Sequence, residues 1–293
     1  FIIDIGGSYR KLTEALGGQY LEMDLSDQYR INPFDIPDPS QEPSNQKLKS
    51  LLAVIESMIV EDEKSKLSKL DRVLLEKTVI ELYEEKRKLK KVPTLSELTE
   101  RLAKSKESSM VDISKILYMW TGNRPYGKLL DGYGSLRTDA PICTFDLKGL
   151  GNYPDLQSVM ILILTDFILS QVEQDKVNKK RIILDEAWQL LKSNAAAGFM
   201  EYCARTLRKT GSGITFITQG VEEIVTSPIG PAIMNNTATK FILLQRGDSE
   251  ILKNALKLNS QELNLIYSLE QRKGEFSEGF MIEGDHRQVI RIY

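Results

Sequence analysis

Two adjacent carboxylates, Asp185 and Glu186, close the run Arg181-Ile182-Ile183-Leu184. Three consecutive aliphatics led in by Asn178-Lys179-Lys180 have the length and apolarity of a buried parallel strand. The end of such a strand lies at the carboxyl edge of the sheet, where open α/β folds bind their ligands. Two acids there are costly unless they serve a cation or a reaction. Nucleoside triphosphate hydrolysis asks for this pair. Asp185 would hold Mg²⁺, mostly through its water shell, and Glu186 would orient or deprotonate the attacking water. The plainer alternative is a strand running into a helix whose N-terminal dipole favours acids.

Polar residues also end other apolar runs. Asp4 follows Phe1-Ile2-Ile3, Asp146 closes the run from Pro141, and Gln219 follows Phe216-Ile217-Thr218. In one parallel sheet these ends share an edge. An amide both donates and accepts, so Gln219 suits sensing a γ-phosphate or holding the lytic water; a bond to a loop backbone is the alternative. Arg205 and Arg208 precede the turn Gly211-Ser212-Gly213 and are candidates for an arginine finger reaching a neighbour's site, against a solvated helix surface. Gly6-Gly7 lacks the G-x-G-x-x-G spacing and reads as a tight strand-to-helix turn. No G-x-x-x-x-G-K-[ST] occurs, since Gly127-Lys128 runs into Leu129-Leu130. Without that loop there is no cradle of backbone N–H groups for phosphates. These 293 residues are therefore expected to bind nucleotide poorly by themselves. Phe1 falls inside an apolar strand, so a fragment with its start missing is expected.

Composition narrows the chemistry. A hydrophobic content of 41% with 27% charged residues is that of a globular protein, large enough for one big core or two domains. The net charge of −2 supplies no global attraction to nucleic acid or acidic lipid, although 39 Lys and Arg leave room for a local basic face. Cys143 and Cys203 are too few for a disulfide framework or a thiolate zinc cluster, which fits a reducing, cytoplasmic setting. The single histidine, His286, argues against Ser-His or Cys-His catalysis and most zinc chemistry. No apolar run approaches the roughly 20 residues of a membrane span.

The elements that must position these groups follow from periodicity. Strands are expected at Phe1 to Ile5, Gln19 to Leu25, Pro141 to Asp146, the acid-pair run, Gly213 to Gln219 and Lys240 to Gln245. From Asn45, Leu48, Leu51, Leu52, Ile55 and Ile59 form a helical stripe. A second helix is expected over Leu70 to Lys91, with Val73, Ile80 and Tyr83 beside Leu75, Val79 and Leu82 in one broad apolar face. A third starts at Thr94, which forms a capping box with Glu97, and a fourth covers Met110 to Trp120. Residues 45–125 thus read as an all-helical insertion between a first core segment, 1–44, and the remainder, 126–293. The run from Lys86 to Lys91 reads as a solvated helix end. Tyr126 to Gly134 reads as a surface loop, Asp155 to Val172 as a core helix, and Leu190 to Lys209 as one helix burying Phe199, Cys203 and Leu207. The tail reads as a hairpin near Gly284-Asp285, with His286 on its surface. Alternating strands and helices imply an α/β fold, a mainly parallel sheet with helices on both faces.

Four motifs in sequence carry a resemblance: Ile2-Ile3-Asp4-Ile5-Gly6-Gly7-Ser8-Tyr9-Arg10-Lys11-Leu12, Ile31-Asn32-Pro33-Phe34, Ile183-Leu184-Asp185-Glu186-Ala187-Trp188, and Thr218-Gln219. Over nearly its whole length the chain resembles the C-terminal ATPase domain of the VirB/TrbE-type traffic ATPases of type IV secretion and conjugation systems. The resemblance implies a RecA-like core with a helical insertion, and a phosphate loop just upstream of the Ile-Ile-Asp strand. It implies ATP and Mg²⁺ as cofactors, Asp185 and Glu186 as the Walker B acids, Gln219 as the motif glutamine, and Arg208, with Arg205 second, as the trans-acting arginine. Asp4 and Asp146 would complete the cofactor-binding edge. Implied partners are further copies of the chain, as a hexamer in the assembled machine, and inner-membrane secretion components, with the protein peripheral at the inner face of the cell membrane. Nucleic acid is left open as a partner but is not indicated. Two alternatives stand beside this reading: a DNA-pumping translocase of the coupling-protein or HerA/FtsK kind, and a scaffold that hydrolyses nothing.

Overall fold

The computed structural model describes residues 1–26, 29–60, 67–134, 140–175, 177–191, 194–245 and 249–293. Five short strands, β1 (Ile2–Asp4), β2 (Gln19–Glu22), β3 (Cys143–Asp146), β4 (Arg181–Leu184) and β5 (Gly213–Phe216), pair in parallel in the order β2-β3-β1-β4-β5. β1 and β3 are buried along their whole length, the signature of strands covered on both faces. The register sets Asp4 opposite Asp146 and Ile3 opposite Leu184. The Asp185 N–H then donates to the Ile3 carbonyl at 3.0 Å. Asp4, Asp146 and Asp185 therefore leave the sheet along one edge, as the apolar-run pattern implies.

The short helix α1 (Arg10–Ala15) links β1 to β2, and Gly17, with φ +66°, ends it in the left-handed conformation. Between β2 and β3 the chain forms α2 (Asn45–Ile59), α3 (Lys69–Arg87), α4 (Leu95–Ala103), α5 (Ser108–Leu117) and α6 (Pro125–Leu130). Three of these starts are capped by a side chain. Ser44 and Ser68 cap α2 and α3, and the Thr94–Glu97 capping box is complete at α4. α2 buries Leu51, Leu52, Val54, Ile55, Met58 and Ile59. α3 is narrower than its sequence suggests: Leu75, Val79, Leu82 and Tyr83 are buried, but Val73 is 61% exposed. Its basic end is partly neutralised, Lys86 pairing with Glu97 and Arg87 with Glu42.

The segment expected as a loop at Tyr126 to Gly134 begins as α6, because Pro125 preorganises a first helical turn and Leu129 and Leu130 are buried. Gly127 is a packing glycine there: a Cβ on it would lie 2.4 Å from the Thr121 carbonyl carbon. Against the expectation that nothing approaches a membrane span, α7 (Pro154–Gln174) is long and apolar enough, by length and composition, to cross one. Here it is a core helix, with Phe167 edge-on to Phe145 of β3 at 6.0 Å and ten of its residues buried.

The single helix expected over Leu190 to Lys209 is divided. α8 (Ala187–Leu190) follows β4 directly, α9 (Asn194–Thr206) comes next, and a 3-10 turn, Leu207–Thr210, ends at Gly211, φ +70°. Phe199, Cys203 and Leu207 are buried as a face. Beyond β5 and the short helices α10 (Glu222–Val225) and α11 (Gly230–Asn236), the strand β6 (Thr239–Ile242) departs from the expected pattern. It leaves the parallel sheet and pairs antiparallel with β8 (Phe276–Glu283), which also pairs with β7 (Gln271–Arg272) and β9 (His286–Ile292). The reason is one-sided burial: Ile242 is buried while Phe241 is 60% exposed, which suits an antiparallel sheet with one wet face. Its inner face packs with α12 (Ser249–Leu256) and α13 (Ser260–Tyr267) around Leu252, Ile266, Phe280 and Ile282. The hairpin turns at Gly284, φ +58°, and His286 is exposed at its far side.

Candidate active site

The pairing of β4 with β5 continues past the strand ends. Ile217 N–H donates to Leu184 at 2.9 Å, and Ala187 N–H donates to Ile217 at 2.8 Å. This extension brings residues 217–219 beside 185–187. At its tip, Gln219 Nε2 donates to Glu186 Oε1 at 2.9 Å. The other carboxylate oxygen of Glu186 accepts from the indole N–H of Trp188 at 2.5 Å. Glu186 itself sits in the left-handed region, φ 51° and ψ 43°, which few residues bearing a side chain adopt. Two of the residues singled out in the sequence thus meet directly.

Asp185 is half-buried beside them. Burial raises its pKa above the ordinary 3.8; the Glu186 backbone N–H opposes this, and the charges of Asp4 and Glu186 add to it. A carboxylate in that condition is one that a cation would relieve. Among the described residues no cluster of three or more His, Cys, Asp or Glu side chains could hold a metal ion. Asp185 is thus the single carboxylate here that a cation would relieve, and a cation held by one carboxylate takes its other ligands from water or a bound phosphate.

Asp4 and Asp146 serve the chain around the edge. Asp4 is fully buried, and its two oxygens accept from the backbone N–H groups of Gly7 at 2.8 Å and Tyr9 at 2.9 Å. It holds the Gly6-Gly7-Ser8 turn, in which Gly7 adopts φ +73°. Asp146 accepts from the Lys148 N–H at 2.8 Å and the Tyr20 hydroxyl at 2.7 Å. The sequence reading missed Tyr9 and the bond made by Trp188. The Tyr9 phenol is pushed up by burial and by Asp185 and Asp4, which places it at the acidic edge. The signal for Trp188 was its position two residues after Glu186, usable only once the turn between them is known.

Arg205 and Arg208 are not part of this edge. They lie at the end of α9 and in the following 3-10 turn, next to the start of β5, where Gly213 pairs with Arg181. The length of a strand separates them from the acids. Arg205 makes an ion pair with Glu201 at 2.8 Å, and Arg208 is exposed, with no ion pair among the described residues.

The sequence model for the TraG P-loop domain matches residues 1–292. The chain belongs to that family. The chain is 27% identical over 261 residues to protein TraC of Escherichia coli (strain K12), a match that covers 83% of this chain but 29% of TraC. The chain thus spans less than a third of that relative. Its fold is similar to that of VirB4 of Thermoanaerobacter pseudethanolicus, with a TM-score of 0.80 at 23% identity over 100% of this chain and 81% of that one. It is also similar to the plasmid coupling protein TrwB in complex with the ATP analogue ADPNP, with a TM-score of 0.59 at 11% identity over 99% of this chain and 77% of that one. At those identities the two structures speak to the fold, which is RecA-like. The resemblance to the VirB/TrbE-type traffic ATPases, drawn from four motifs of the chain, agrees with the family match and with the TraC and VirB4 matches.

Proposed function

We propose that the chain is the motor portion of an ATPase that energises type IV secretion or conjugation, hydrolysing ATP to ADP and phosphate with Mg²⁺. The observation that carries this reading is the Gln219–Glu186 hydrogen bond, formed at the sheet edge beside a half-buried Asp185. In the proposed reaction Asp185 would hold Mg²⁺, which would offset the charge of the phosphates, and Glu186 orients the lytic water. The water oxygen bonds to the γ-phosphorus while one of its protons passes to Glu186. The bond to the β–γ bridging oxygen breaks, with its electron pair leaving on ADP. Gln219 contacts the γ-phosphate or the water. Asp4 and Asp146 support the edge by holding the turns after β1 and β3. Positioning and charge neutralisation supply most of the catalysis.

Because Arg205 and Arg208 stand at the far end of β5, an arginine finger from this chain acts only on another copy. That supports a homo-oligomer, taken to be a hexamer in the assembled machine. The remaining proposed partners are inner-membrane secretion components, with the motor peripheral on the cytoplasmic face. Phosphate release by the intact protein tests the reading. Glu186→Gln is expected to lower turnover at least about a hundredfold while ATP binding is kept. Near-normal turnover in that variant rejects Glu186 as the base. The TrwB likeness supports a second reading, a DNA-pumping translocase; it predicts hydrolysis stimulated by DNA with steep salt dependence.

A further inference from the structure

Glu186 is gripped at both oxygens, by two different kinds of donor. Gln219 belongs to the segment after β5, thirty-three positions away, and its amide is exposed. Trp188 belongs to the first turn of α8, immediately after Glu186, and its indole is half-buried. The left-handed backbone at Glu186 turns the carboxylate back over that first turn, within 2.5 Å of the indole nitrogen. An indole N–H can only donate, and its ring is held by a short helix. A glutamine amide on an exposed segment can exchange partners. The chain's other tryptophan, Trp120, makes a contrast: it is 2% exposed, and its N–H is buried with no hydrogen-bond partner among the described residues.

We propose that Trp188 is a positioning residue for Glu186. Its N–H anchors Oε2, so Oε1 stays aimed at the reacting edge when Gln219 turns its amide to the γ-phosphate. The left-handed conformation at Glu186 is the backbone counterpart of that anchor. This role rests on the motor reading, with Glu186 as the group that handles the lytic water, and adds a residue that does not touch the substrate.

Two measurements test it. Labelling the chain with ¹⁵N-tryptophan yields two indole N–H resonances, assigned with Trp188→Phe. The Trp188 proton is expected downfield of Trp120, and Glu186→Gln is expected to move it upfield while leaving Trp120 in place. A Trp188 resonance unmoved by Glu186→Gln overturns the bond. In the intact protein, Trp188→Phe is expected to lower kcat by about tenfold to a hundredfold, the range carried by a hydrogen bond to a charged group, with KM for ATP within about twofold. Trp188→His, which keeps a ring N–H, is expected to recover part of that loss. Unchanged kcat in Trp188→Phe overturns the positioning role, as does a loss that histidine leaves unrelieved. An intact protein that hydrolyses nothing while the indole resonance still responds to Glu186→Gln rejects the motor reading, and the role with it, but keeps the bond.

Discussion

Gln219 Nε2 lies 2.9 Å from Glu186 Oε1, joining the ends of two neighbouring parallel strands. The bond depends on β4 and β5 continuing to pair beyond their last regular residues, through the Ile217 and Ala187 N–H groups. A shift of one residue in that register would turn Gln219 away from the acid.

Asp185 has a stability cost with a defined sign. Its pKa is raised in the folded chain, chiefly by burial. The folded state therefore holds this proton more tightly than the unfolded state. That contribution is full below the ordinary value of 3.8 and is lost as pH rises through the higher folded value. Asp185→Asn is expected to melt at a higher temperature than the parent at pH 7, with the difference vanishing near the acid end of the range. The same variant is expected to lose Mg²⁺-dependent hydrolysis. A lower melting temperature at pH 7 would contradict the account, and calorimetry across pH checks it.

Asp4 is predicted to matter for folding before chemistry. It is fully buried and accepts two backbone N–H groups in the turn after β1. Asp4→Ala leaves both donors without partners, at a cost of about 2–4 kcal/mol. Asp4→Asn keeps one acceptor oxygen and is expected to lose less. Urea unfolding measures both, and a neutral Asp4→Ala would refute the role.

The arginines call for mixing rather than single substitution. Arg208→Ala is expected to cost on the order of a thousandfold in hydrolysis if its guanidinium completes a neighbour's site. Mixing that protein with Glu186→Gln protein should restore part of the activity, since some interfaces then pair an intact acid with an intact arginine. Arg205→Ala removes an exposed i,i+4 pair with Glu201 and should change stability by only about 0.3–0.5 kcal/mol. No restoration on mixing removes Arg208 from the role.

The two thiols should be silent in the native chain. Both are buried, Cys143 is pushed up to about 12 by burial, and Cys203 is also raised by burial. At pH 8 neither carries appreciable thiolate, so a disulfide reagent should modify both only as the chain opens. Rapid labelling of either native thiol would contradict the packing of β3 or α9.

Residue order alone determined what is encoded within a few positions. The apolar runs of β1, β3 and β4, the stripe of α2, the Thr94–Glu97 box of α4 and the glycine turn of the final hairpin were all legible, because each depends on neighbours one helical turn or one strand away. The acids and the amide were recognisable for the same reason, as polar ends of apolar runs. Other features arose only in three dimensions. Whether β6 joins the parallel sheet or crosses to β8 depends on which of its faces finds a core. Whether Asp4 faces a ligand or a turn depends on the path of Gly6-Gly7-Ser8. The grip on Glu186 needs a left-handed residue and a partner thirty-three positions away, a meeting produced by tertiary contact and invisible to local periodicity.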